Sequence, residues 1–170
     1  MTETHNRLGV GPKWAIPTTL YFVVGVIAHY ATYPRFIMTQ ASPITFLIIG
    51  ISLVLLGSCT YAAALVSLRR GLRTGTLVTN GLYSITRHPL YASSILFIIP
   101  GVVLAFRCWL LLPTPIVAYG ALRVYLHWED DDLHKRYGDA FVAYKNTTNA
   151  LLPTPPRWLR DGRPGQRRKD

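Results

Sequence analysis

Positions 4 to 128 of this 170-residue chain hold no aspartate and no glutamate. A water-facing surface carries charges of both signs, so so long a stretch without a carboxylate reads as membrane. The eight acids are Glu3, Glu129, Asp130, Asp131, Asp132, Asp139, Asp161 and Asp170, and half of the chain is hydrophobic. That apolar fraction excludes intrinsic disorder for most of the sequence. The two cysteines, Cys59 and Cys108, both lie in apolar runs and exclude a disulfide scaffold.

The net charge of +10 suggests nucleic acid, but its distribution argues against it. The basic residues flank apolar segments or crowd the C-terminal tail, the pattern expected beside an anionic membrane face. Zinc-finger spacing and an aromatic–basic RNA-binding signature are both missing. The expected partner is therefore a lipid bilayer, with no nucleic acid and no metal.

Four apolar stretches, at 14–33, 44–68, 90–106 and 108 to about 126, have lengths suited to a bilayer, which takes roughly 17–25 residues per helix. The expected fold is an all-α integral membrane protein of about four transmembrane helices. The last two form a tight hairpin at Arg107, and a re-entrant pair is the alternative. Pro100, Pro113 and Pro115 are expected to bend this hairpin. Of the 18 lysines and arginines, only Arg35 and Arg107 fall in the two loops assigned to the far side. The positive-inside rule then puts both termini in the cytoplasm, in a plasma membrane for a prokaryote or the endoplasmic reticulum for a eukaryote. The first span is expected to be retained, because its apolar run is long and Glu3 replaces a basic leader.

Beyond the fourth span, Leu133, Tyr137, Phe141 and Tyr144 recur at spacings of four, four and three, which predicts one amphipathic cytoplasmic helix. A two-span segment at 1–71, a core at 72–155 and a basic, disordered tail at 156–170 complete the expected organisation.

Chemistry concentrates at two places. In the first, Gly75 and Gly81 permit turns, and Pro89 suits the first turn of a helix. His88 and Tyr91 then lie near that helix N-terminus, where backbone N–H groups attract an anion. An interfacial anchor with a helix start is the plainer reading of Arg87, His88 and Pro89. In the second, four consecutive acids leave the fourth span. Glu129, nearest the membrane, is expected to face inward, while Asp131 and Asp132 read as solvated charge. His29, inside the first span, is expected to be neutral and bonded to a neighbouring helix. No His or Cys pair has metal-ligand spacing.

Together the clusters resemble the isoprenylcysteine carboxyl methyltransferases and their phospholipid-methyltransferase relatives. The resemblance rests on Gly81, Tyr83, Arg87, His88, Pro89 and Tyr91 entering a membrane helix. It continues with Glu129, Asp130, Leu133, Tyr137, Gly138, Tyr144, Leu152 and Pro153 in order, and covers roughly 72–153. It implies S-adenosyl-L-methionine as methyl donor, bound by Gly75, Thr76, Leu77, Val78, Tyr83, His88, Pro89, Leu90, Tyr91 and Glu129. It also implies an amphiphilic or prenylated methyl acceptor, with carboxyl O-methylation as the leading reaction. Carboxyl-methylating members place an arginine one helical turn before the first acid, where this chain has Tyr125. Arg123 lies two residues earlier, so Arg123 and Tyr125 are the candidates for holding the acceptor. Two other classes remain open: an NADPH-dependent reductase of the sterol-reductase type, with Arg69, Arg70 and Arg73 available for a 2′-phosphate, and a non-enzymatic membrane scaffold.

Overall fold

A computed structural model describes residues 11–151. They form an all-helical fold containing four helices long and apolar enough to cross a membrane: Lys13–Ala31, Pro43–Thr74, Pro89–Phe106 and Trp109–Tyr137. The 18-residue third span rises about 27 Å, close to the hydrocarbon thickness of about 30 Å. The expected basic tail at 156–170 lies outside the described residues.

Helix α1 runs over Gly11–Ala31 and tolerates Pro17 within it. Helix α2, Pro43–Thr74, has well-defined ends. The Ser42 hydroxyl accepts from the Thr45 amide, and Pro43 occupies the first turn. At its other end Gly75 turns left-handed at φ 66° and donates to the Gly71 carbonyl. The third span comprises α3 (Pro89–Ser93), a π-helical turn (Ser94–Ile98) and α4 (Ile99–Phe106). The wide turn comes just before Pro100, whose ring and missing N–H disturb an α-helical ladder at that level. Helix α5, Thr114–Tyr137, follows a short 3₁₀ turn at Trp109–Leu111, and α6 covers Asp139–Thr147.

The buried positions of α2 are Gly50, Gly57, Ala64 and Gly71. They recur every seven residues, and Gly50 and Gly57 let the third span approach closely, the usual basis of helix association in a bilayer. A Cβ on Gly50 would lie 2.6 Å from the Gly101 carbonyl oxygen. On α5, Thr114, Ala118, Leu122, Leu126 and Asp130 are buried, a ridge of fourth residues running down one side of the helix. Helix α1 packs against α5, and α2 against the third span.

Two expectations are corrected. The single amphipathic helix is broken at Gly138, which adopts φ 52° and ψ −131°, a conformation that favours glycine. Leu133 and Tyr137 therefore end α5, while Phe141 and Tyr144 belong to α6. His29 is buried against the rings of Tyr30 and Tyr33, but among the described residues its Nδ1 has no hydrogen-bond partner, so the expected cross-helix bond is missing at that atom.

Candidate functional site

The 76–88 loop is fastened from behind by the chain that leaves α6. The Arg87 and His88 amides donate to the carbonyls of Asn149 and Ala150, and the Thr86 hydroxyl also donates to Ala150. The Tyr144 hydroxyl donates to the Tyr83 carbonyl. With the backbone fixed on both sides, the His88 side chain is held at the start of α3.

There it meets two acids. His88 Nε2 lies 3.3 Å from Asp130 Oδ1, and Nδ1 lies 3.6 Å from Glu129 Oε1. Asp130 also accepts from Arg87 Nη1 at 3.0 Å and pairs with Lys145 Nζ at 3.1 Å. The Tyr91 hydroxyl donates to Glu129 Oε2 at 2.9 Å. Arg87 on the loop, His88 at the helix start and Lys145 on α6 thus surround one buried carboxylate. Glu129 faces the cavity, held by the Tyr91 hydroxyl and flanked by His88 Nδ1. Burial favours a neutral His88, but the hydrogen bonds to Asp130 and then Glu129 outweigh it and raise the imidazole pKa above its ordinary value. Burial, reinforced by Glu129, raises the Tyr83 phenol, which stays protonated.

The cavity holds about 560 Å³, within the range of about 300–1,000 Å³ common for small-molecule sites. Its walls include Trp14 of α1, Tyr61, Leu68 and Leu72 of α2, and Tyr83, Tyr91, Tyr137 and Tyr144. Of the residues expected to hold a cofactor, Thr76, Leu77, Val78, Tyr83, His88, Leu90, Tyr91 and Glu129 line it. Gly75 is the exposed α2 cap and Pro89 is buried at the first position of α3; neither is on the wall. Arg123 and Tyr125 are not on it either. Arg123 is exposed, and Tyr125 packs its ring 5.5 Å from that of Trp128. Asp132 and Arg136 reach the rim from the last turns of α5, and Asp131 is exposed. Residues from both sides of the expected 71/72 boundary therefore share one cavity.

Sequence reasoning missed Asp130 as the hub. The signal was present: Asp130 continues the Ala118, Leu122, Leu126 series by four, so it was due on the buried face. Trp14 and Tyr61 carry no motif and are brought to the site only by helix packing. Among the described residues, no three His, Cys, Asp or Glu side chains gather as a metal site requires.

The chain matches no protein-family model, and no curated protein matches it in sequence.

Proposed function

We propose that this chain is a membrane methyltransferase that uses S-adenosyl-L-methionine to methylate an amphiphilic acceptor, with carboxyl O-methylation of isoprenylcysteine or a similar lipid-like acid as the leading reaction. The observation that carries the reading is the convergence of Glu129 and a set of tyrosine rings on one cavity, with His88 behind Glu129. A sulfonium is a cation wrapped in carbon, and it suits a wall that combines a carboxylate with aromatic faces. An adenine suits the same aromatic and aliphatic surfaces.

When bound, S-adenosyl-L-methionine supplies a methyl group whose S–C bond electrons stay on sulfur as the acceptor oxygen forms the new bond. Glu129 would face the cation. The neutral phenols of Tyr83 and Tyr91 would orient donor groups and help exclude water. A carboxylate acceptor is already ionised at neutral pH and needs no base. His88 is accordingly assigned to hold Glu129, not to abstract a proton. The basic residues flanking this end of the bundle support its placement in the cytoplasm, with both termini there.

The reductase reading finds less support. A 2′-phosphate needs cations, and Arg69, Arg70 and Arg73 are not on the cavity wall. Arg87 is engaged with Asp130, which leaves Arg136 at the rim. Titrating purified protein in nanodiscs with S-adenosylhomocysteine and with NADPH separates the two. Binding of the first, with labelled methyl transfer into a panel of prenylcysteine, phospholipid and quinone-like acceptors, is expected. Tight NADPH binding without S-adenosylhomocysteine binding overturns the methyltransferase.

A further inference from the structure

Beside the polar cavity lies a second, apolar one of about 270 Å³, walled by Ala15 and Phe22 of α1 and by Ile98, Ile99 and Val102 of the third span. Its buried threonines, Thr18 and Thr114, donate their hydroxyls to backbone carbonyls of Trp14 and Leu111. Carbon is therefore the main surface left for an occupant. Trp14 lines both this groove and the polar cavity. Its indole stands edge-on to Tyr91, with ring centres 6.0 Å apart, and Tyr91 in turn holds Glu129. Among the described residues, Trp14 Nε1 is buried and has no hydrogen-bond partner. An indole N–H can only donate, and a buried donor left unmade is costly, so it calls for an acceptor atom that the described residues do not supply.

We propose that the groove and the polar cavity are two halves of one acceptor site joined at Trp14: the groove takes the hydrocarbon chain of the methyl acceptor, and the Trp14 indole N–H donates to an oxygen of its headgroup. This rests on the methyltransferase reading and adds to it a positioning residue outside the 72–153 stretch that carries the family resemblance. The groove lies within the membrane-spanning stretches of three helices, so an occupant can enter from the lipid without crossing water. The headgroup would be delivered beside Tyr91, on the wall that Glu129 shares. The site selects for a chain and an oxygen together, which a short acid does not offer.

The test uses the full chain in nanodiscs, labelled with ¹⁵N at its four tryptophans. The Trp14 indole signal is assigned by its loss in Trp14→Phe. A long-chain thioether carboxylate is expected to move that signal even without methyl donor, and its short-chain homologue is not. Trp14→Phe is expected to raise the KM for the long-chain acid about tenfold, the scale of one lost hydrogen bond. Ala15→Phe, which fills the groove, raises the KM for the long-chain acid and spares the short one. An indole signal that does not move, or that moves equally with plain phospholipid, overturns the proposal and leaves the methyltransferase reading standing. Failure of the wild type to bind S-adenosylhomocysteine overturns that reading and leaves the Trp14 site to be judged by the indole signal.

Discussion

Two half-buried arginines bracket the third span, and they are held in different ways. Arg87, before the span, faces the Asp130 carboxylate and shares it with His88 and Lys145. Arg107, after the span, donates from Nη2 to the Met38 carbonyl and lies over the Phe46 ring. Met38 returns a bond from its amide to the Arg107 carbonyl, and Trp109 donates to the Phe36 carbonyl, so the segment after α1 is knitted to the turn before α5. Among the described residues, both guanidinium Nε atoms are buried without hydrogen-bond partners. A buried arginine is thus no mark of a site by itself. At the Arg107 end the cation closes a corner with neutral backbone. At the Arg87 end it balances Asp130, whose neighbour Glu129 borders a cavity, and there a charge can meet a ligand.

The largest expected effects test that contrast directly. Asp130→Ala leaves Arg87 buried without its counter-ion and removes a partner from His88 and Lys145. A loss of about 3–5 kcal/mol in stability is expected, together with loss of S-adenosylhomocysteine binding. Arg107→Ala removes one hydrogen bond to a neutral carbonyl. It is expected to cost about 1 kcal/mol and leave ligand affinity as it was. Thermal denaturation and calorimetric titration in nanodiscs measure both. Equal loss of ligand binding in the two variants would erase the distinction.

Two glycines of α2 sharpen the same comparison at smaller scale. A Cβ on Gly50 meets backbone, 2.6 Å from the Gly101 oxygen and 3.0 Å from the Ala105 nitrogen. Gly50→Ala is expected to force α2 and α4 apart at a cost of about 1–3 kcal/mol, with ligand affinity unchanged in the fraction that folds. A Cβ on Gly71 meets the Val78 side chain and, at 2.9 Å, the Thr76 carbonyl oxygen, and both residues line the polar cavity. Gly71→Ala is expected to cost less stability but to weaken S-adenosylhomocysteine binding severalfold. The reverse ranking would mean that the 76–88 loop does not shape the ligand site.

The helical membrane architecture was legible because it depends on composition over long windows. The gap in carboxylates, the four apolar stretches and the flanking cations each follow from what a bilayer excludes. The loop before α3 was legible because Gly75 and Pro89 act locally through backbone conformation, and both occupy the positions expected of them. The break at Gly138 was hidden because Leu133, Tyr137, Phe141 and Tyr144 keep helical spacing across it, and a periodicity count does not register one glycine that redirects the chain. The small residues of α2 at intervals of seven were readable but unread. Trp14 was not readable at all. Its place at the junction of two cavities comes from α1 packing on α5, and no local pattern near Trp14 encodes that contact.

The smallest effect separates the charged cluster from the neutral corner by pH. His88 has a raised pKa in the fold, so the native state holds its proton more tightly than the unfolded chain does. Its contribution to stability is therefore complete below the ordinary imidazole value of about 6.5 and is lost as pH rises through the raised value. The melting temperature should fall across that range, and His88→Gln should flatten the slope. Arg107→Ala leaves the His88 cluster intact, so its profile should run parallel to the wild type. Ligand affinity should move the other way. When the imidazolium loses its proton, Glu129 faces the cavity with less positive charge beside it, and a sulfonium is held more tightly. S-adenosyl-L-methionine should therefore gain affinity with rising pH relative to S-adenosylhomocysteine, whose sulfur is uncharged. Because the two ligands differ at that one charge, a difference between their pH profiles isolates the electrostatics of Glu129 from the accompanying loss of stability. Coincident profiles would place the sulfonium away from Glu129.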